Sequence, residues 1–370
     1  MVDYLSARTG AEGFARADRP RAIAFPADAG PHPDYQTEWW YYTGNLEAED
    51  GRRFGFQLTF FRRAMAPPAD RTQRESDWAM DQLYLAHFAL TDVAGGSFHS
   101  ADRLSRGAAG LAGAQADPFR VWVETWSAAE SVDLRAPDST RPSPDLPVRL
   151  VAADGPVAID LLLSPEKPPV LHGDAGLSPK GPEPGNASFY YSFPRLGTVG
   201  TVTTAEGSVP VSGQAWMDHE WSTSALGEDQ TGWDWFSLQL DEGRELMVFQ
   251  LRERDGGIAA SSSGSLIDAE GRVTRLGRDD FAIVVKDSWT SPRSGGVYPA
   301  GWRLTVPGAD LDLSIDPVAS DQELDVGFKY WEGAVDVEGT ADGRHAGGQG
   351  YVELTGYAPS AAGGGLPGAE

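Results

Sequence analysis

Apolar and polar residues alternate one for one over stretch after stretch of this chain, while runs with the spacing of an amphipathic helix are few; this predicts strands and hairpins. The longest regular alternation falls at residues 209–221. There Val209, Val211, Gly213, Ala215, Met217, His219 and Trp221 share one side of a period-two strand, and Pro210, Ser212, Gln214, Trp216, Asp218 and Glu220 share the other. The first set is apolar enough to face a core, so His219 and Trp221 are expected to point inward. In the next segment Asp234 shares its side with Phe236, Leu238 and Leu240, ahead of a hairpin turn at 241–243. The pattern therefore predicts an inward Asp beside an inward His.

Residues 1–24 read as an irregular lead-in. A proline-punctuated loop then enters a strand in which Glu38, Trp40, Tyr42 and Leu46 share one side, and a turn at 49–51 leads to a second strand at 53–61. The same unit returns at 233–251: an aromatic strand, an acidic Gly-Arg turn, and an apolar strand ending in Gln-Leu. The turn glycines Gly51 and Gly243 are 243 − 51 = 192 residues apart, a spacing that predicts a duplicated β domain. Further strands are predicted at 81–90, 119–126, 148–153 and 157–163. In the second half they fall around 258–267, 281–289, 301–306, 311–315, 329–338 and 350–357. The Pro/Gly-rich stretch 164–186 reads as a long, ligand-facing loop that delivers Tyr190 and Tyr191 to a cavity wall. With the boundary near Glu206 the domains are 25–206 and 207–357, and 358–370 is a small, polar tail predicted to be disordered.

Composition narrows the function classes. Thirty Lys and Arg against 54 Asp and Glu give a net charge of −24, which argues against nucleic acid or an anionic membrane surface as partner. No Cys is present, which excludes disulfides, thiol catalysis and zinc-thiolate sites. No apolar run approaches the ~20 residues of a membrane-spanning helix, and the first residues lack the pattern of an export signal. No Gly-x-Ser-x-Gly elbow or phosphate-binding glycine loop occurs. A metal held by Asp218, His219 and Glu220 is disfavoured, because neighbours on a strand point to opposite faces.

Five motifs in order, Thr-Glu-Trp-Trp-Tyr-Tyr-Thr-Gly at 37–44, Tyr-Tyr-Ser at 190–192, Gly-Gln-Ala-Trp-Met-Asp-His-Glu-Trp at 213–221, Gly-Trp-Asp-Trp-Phe at 232–236 and Tyr-Trp-Glu-Gly-Ala-Val at 330–335, resemble the AttH-like branch of the carotenoid 1,2-hydratase family. The likeness spans roughly residues 25–357. It implies an all-β fold, two lipocalin-like β-barrel or sandwich domains side by side, with an apolar cavity at or near their interface. Relatives include hydratases acting on carotenoid alkenes or a plant isoflavonoid, and cofactor-free cyclases of polyene polyketides. Many members carry export signals, so the resemblance implies an exported, periplasmic location, with the cytoplasm as the alternative. One departure is Ala29, where relatives often have His; His32 remains in that loop.

Hydrating an alkene needs a proton donor, surroundings that tolerate a carbocation, and a placed water. Asp234 on an apolar face would be kept protonated by desolvation and could donate, with His219 orienting the water or taking its proton. Trp221, Trp233 and Trp235 offer π-faces to a cation, and Glu38, Trp40, Tyr190 and Tyr191 complete the candidate substrate-binding set. Against this stands a plain structural alternative. In it Trp221 and Trp233 plug a barrel end, Asp218, His219 and Glu220 form a hydrogen-bonded corner, and Trp331 and Glu332 close a sheet. The expectation is an enzyme without cofactor or metal acting on an elongated isoprenoid or polyene, most plausibly a hydratase. A carrier of such a hydrophobic ligand and a pericyclic cyclase are the alternatives.

Overall fold

The computed structural model describes residues 11–71, 76, 78–131, 147–223, 226–227 and 229–358. The expected tail beyond Ala358 and the first ten residues of the lead-in lie outside them. Nearly all regular structure is β, in two large antiparallel sheets. The first, nearly closed into a barrel, has thirteen strands. It runs from Ser97–Arg106 through Gln82–Asp92, Arg53–Ala64, Thr37–Ala48, Gly207–Ser222, Ala187–Thr204, Val157–Pro165 and Val148–Asp154 to Trp126–Glu130, Phe119–Val123 and Ala112–Ala116. The second has ten strands and is centred on Gln230–Leu240, Arg344–Leu354 and Lys329–Ala341. These are two lipocalin-like domains.

The two hairpins expected from the repeat are present. Thr37–Ala48 pairs with Arg53–Ala64, and Gln230–Leu240 with Glu245–Glu253. Gly51 and Gly243 turn them at φ +83° and +91°, a region that side chains other than glycine adopt at a cost. In each sheet a late strand returns to pair with the first: Gly207–Ser222 with Thr37–Ala48, and Arg344–Leu354 with Gln230–Leu240. The strand expected to open the second half therefore completes the first sheet. It pairs with Ala187–Thr204 on one side and Thr37–Ala48 on the other, so the chain changes sheets after Ser222 rather than near Glu206. The turn at Thr204–Gly207 that marks 206 is only a hairpin tip.

Two other expectations change in detail. The predicted strand 119–126 is two strands, broken at Glu124, whose φ is +55°. The stretch 164–186 is not a free loop: Val170–Leu171 and Leu177–Pro179 pair along Ala187–Thr204, and His172 and Lys180 are buried.

Side-chain alternation sorts the strands into three apolar layers. Trp40, Tyr42, Phe56, Leu58, Tyr191, Met217 and Trp221 fill the interior of the first sheet. Phe236, Leu238, Trp302, Trp331 and Val352 fill that of the second. The opposite sides of the same strands supply Tyr41, Tyr190, Trp216, Trp235, Phe249 and Tyr351 to a layer between the sheets. Both faces of the central strands are thus covered. Polar locks tie the sheets across this layer. Glu245 of the second sheet accepts from Lys167 Nζ at 2.7 Å and Arg195 Nε at 2.5 Å, and Gln239 Nε2 donates to the carbonyls of Pro194 and Ala215.

Candidate functional site

The inward side of the strand Gly207–Ser222 carries His219 into the first barrel, as its alternation predicts. Thr37–Ala48 sets Glu38 opposite Trp221 and Trp40 opposite His219. His219 Nε2 lies 2.9 Å from Glu38 Oε1 and its Nδ1 lies 3.0 Å from the Tyr191 hydroxyl. The same Glu38 oxygen is 2.6 Å from His32 Nδ1, and His32 Nε2 is 2.8 Å from Asp28 Oδ1. Arg62 Nε donates to the other Glu38 oxygen at 2.7 Å, and Arg21 pairs with Asp28. His32 stacks flat on Trp221, centroids 3.8 Å apart.

Burial pushes the Glu38 carboxyl up, but Arg62, His32 and the hydrogen bonds from both histidines outweigh it and hold the carboxyl well below the usual range. Burial likewise pulls down on His32, but Glu38 and Asp28 raise it overall. His219, with burial dominant, is lowered. The cluster is then Glu38 and Asp28 as anions, with Arg62, Arg21 and His32 as cations. A neutral His219 donates to Glu38 through Nε2. Charges and hydrogen bonds close on one another, which is what a buried ionic plug requires.

His32, Glu38 and His219 are also the group among the described residues whose ligating atoms, within 4.8 Å of one another, could hold a metal ion. A cation there would have to displace two short hydrogen bonds on one carboxylate oxygen and sit beside the Arg62 guanidinium. The donor set does not favour it.

Asp234 is elsewhere. It points into the second sheet's own interior and accepts from Gln250 Nε2 at 2.8 Å, Arg252 Nε at 3.1 Å and the Tyr357 hydroxyl at 3.0 Å. Burial raises its carboxyl, opposed first by Arg252. The expected pair of His219 and Asp234 is not formed. Each side chain is inward, as its alternation says, but into a different sheet, because Gly207–Ser222 belongs to the first and Gln230–Leu240 to the second.

The chemistry that remains available lies between the sheets, in a cavity of about 70 Å³. Its walls are the sides of the strands opposite to the two interiors. Trp39, Tyr41, Phe61 and Tyr190 come from the first sheet, and Trp233, Trp235, Phe249 and Tyr330 from the second. Into it project Asp218 and Glu220 from one sheet, Glu332 and Glu353 from the other, and Lys180 from the segment that precedes Ala187. Of the expected site residues, Tyr190, Trp233 and Trp235 line this cavity. Glu38, Trp40, Tyr191, His219 and Trp221 lie within the first barrel.

Asp218 is 4% exposed and receives hydrogen bonds from Tyr190 Oη at 2.7 Å, Trp216 Nε1 at 2.6 Å and Ser192 Oγ. Burial nevertheless carries its carboxyl up to about 7 against those donors. Ser192 is held in turn by His172 Nε2 at 2.6 Å, and His172 Nδ1 faces Ser265 Oγ at 2.9 Å; burial brings that imidazole down to about 3. Lys180 Nζ lies 3.2 Å from Glu220 and 4.3 Å from the centroid of the Phe249 ring.

Glu332 and Glu353 stand opposite each other on paired strands. Glu332 is fully buried beside the hydroxyls of Tyr41 and Tyr330, with no hydrogen bond of regular geometry to either carboxyl oxygen. Burial and then the charge of Glu353 raise Glu332 well above the usual range. Burial, with Asp218 and Glu220 across the cavity, raises Glu353 to about 8 against a hydrogen bond from Trp233.

A pair of lipocalin-like domains enclosing an aromatic cavity with protonatable carboxyls defines the class of protein. The chain belongs to the AttH-like family, whose profile matches residues 16–357. A crystal structure of an AttH protein from Nitrosomonas europaea is 36% identical, covering 94% of this chain and all of that one with a TM-score of 0.81. Kievitone hydratase from Nectria haematococca shares the fold at 14% identity and a TM-score of 0.66, over 92% of this chain and 97% of its own. CghA, solved alone and with Sch210972, shares it at a TM-score of 0.53, with 14% and 15% identity over 94% of this chain and 97% of that one. No curated protein matches the sequence.

Proposed function

We propose that the protein is an enzyme of the hydratase and cyclase type that takes an elongated apolar molecule, isoprenoid or polyene, into the cavity between its sheets and acts on it by acid-base chemistry. The observation that carries this reading is the co-location, in one aromatic-walled cavity, of Asp218 and other carboxyls whose burial places their protonation near neutral pH. A carboxyl that titrates near the working pH can both give and take a proton. The π-faces of Trp39, Trp233 and Trp235 favour a developing cation by ~1–2 kcal/mol each in a dry site. The relatives named a hydratase and solved with a bound small molecule accord with this reading. Hydration of a C=C bond is the reaction that uses these parts together, with Asp218 receiving the proton of the attacking water.

The test is native mass spectrometry after incubation with farnesol, geranylgeraniol and retinol, for wild type and Asp218→Asn, with thermal melts to show that both are folded. Ligand gaining the mass of one water on wild type alone is the expected result. The same unmodified ligand on both proteins leaves a carrier and overturns the enzyme.

A further inference from the structure

From the opposed carboxyls of Glu332, fully buried, and Glu353, half-buried and facing the same cavity, we infer that the two form an acid pair sharing a proton, and that Glu332 is the residue that protonates the substrate alkene. This rests on the reading of the cavity as a hydratase site. Opposed residues of adjacent antiparallel strands bring their side chains within contact range, and two carboxylates so placed in a desolvated site cannot both ionise. One proton therefore stays on the pair, which titrates as a unit. The surroundings reinforce this. Tyr41, Tyr330 and Tyr351 pack about Glu332 and bring no positive charge, so burial and the charge of Glu353 prevail over the opposing pull of the Tyr41 and Tyr330 hydroxyls. Asp218 and Glu220 repel a charge on Glu353 from across the cavity, and the ammonium of Lys180 is already taken by Glu220.

The two buried oxygens of Glu332, without a hydrogen bond of regular geometry, are costly to leave so, and they face the cavity that the substrate would fill. Glu353, the more exposed of the pair, is the one that exchanges its proton with water. Glu332 is the one presented to the ligand.

The step balances without an external oxidant or reductant. The O–H bond of Glu332 breaks as its proton forms a C–H bond with the less substituted alkene carbon, using the π pair. Water adds to the neighbouring cationic carbon and gives its proton to Asp218, and solvent returns a proton from Asp218 to the pair. One water is added and no charge is left behind. A carboxyl kept protonated by burial is a populated donor but a weak one, so the alkene must yield a stabilised cation. That selects a trisubstituted isoprenoid or a conjugated polyene, giving a tertiary or allylic cation, and rejects an isolated disubstituted alkene.

Infrared difference spectroscopy of the ligand-free protein at pH 7 tests the pair without any substrate. A protonated-carboxyl C=O band should be present in wild type and lost or displaced in both Glu332→Gln and Glu353→Gln. An unchanged band in both variants overturns the shared proton whatever the protein does. With farnesol, Glu332→Gln should lower the rate of water addition by at least about a hundredfold, with retinol still bound in a fluorescence titration and Glu332→Asp restoring part of the rate. Full activity in Glu332→Gln overturns its role as donor. Absence of any water addition or ligand binding by wild type instead overturns the hydratase reading, and the infrared result on the pair stands apart from it.

Discussion

At the scale of single residues, the two groups that the alternation singles out serve the packing of two different interiors. Glu38 neutralises Arg62 at 2.7 Å and His32 at 2.6 Å with no exposure of its own. Glu38→Gln leaves a buried guanidinium uncompensated, which should cost about 3–5 kcal/mol. Urea denaturation measures the loss, and ligand bound between the sheets should be retained by what remains folded. Asp234→Asn keeps the shape but weakens the bonds from Arg252, Gln250 and Tyr357. It should cost about 1.5–3 kcal/mol of stability and leave water addition within a few-fold of wild type. Loss of activity in a fully folded Asp234→Asn would return Asp234 to the chemistry. Composition and alternation made His219, Asp234 and Trp221 legible as inward residues. What they do not carry is whether two inward residues share an interior, since that depends on which sheet each strand joins.

At the scale of elements, the strand Gly207–Ser222 is the one on which both sites depend. Its inward side brings His219 to Glu38 and its outward side brings Asp218 and Glu220 to the cavity. The outward set was visible in the sequence as the polar partner of the apolar side, and Trp39, Tyr41, Trp233 and Trp235 share the corresponding sides of their own strands. A face that is polar and aromatic reads as solvent-facing when one sheet is considered alone, and only a second sheet laid against it makes it a cavity wall. The Glu332 and Glu353 pair was further hidden because their opposition depends on the register of two late strands. The pairing with Thr37–Ala48 is tight at Gly213, where a Cβ would fall 2.1 Å from the carbonyl oxygen of Asn45. Gly213→Ala must push these strands apart and should cost about 1–3 kcal/mol. Gly308→Ala, whose Cβ would meet nothing within 4 Å, should change stability by no more than about 0.5 kcal/mol. Equal urea midpoints for the two variants would count against the close pairing.

For the molecule as a whole, the buried titratable groups set opposing demands on pH. Asp218 and Glu353, raised to about 7 and 8, and Glu332, raised well above its usual range, keep protons in the fold that the unfolded chain has already released near pH 4. Their folded-state pKa values are raised, so stability falls as pH climbs towards those values. His87 and His172, both lowered to about 3, and His219, also lowered, act in the other direction: buried neutral, they cost stability as pH falls below about 6.5, where the unfolded chain protonates them. The two sets oppose each other in mild acid. Above pH 7 the three histidines are neutral in both states, and the acids act without that opposition. His32, raised by Glu38 and Asp28 against burial, loses its stabilising charge in the same upward direction. Unfolding free energy should therefore decline from pH 7 to 9, by ~1.4 kcal/mol per pH unit for each proton that the fold retains and the unfolded chain does not. Because Glu245 joins Lys167 and Arg195 across the sheets, this decline should appear in one shared transition rather than in one domain alone. In Glu353→Gln the slope should flatten by up to about one proton, since the amide neither titrates nor repels Glu332. Urea titrations at pH 7, 8 and 9 on wild type and this variant decide it. A flat wild-type profile, or equal slopes for the two proteins, would show that these carboxyls are already ionised in the folded chain.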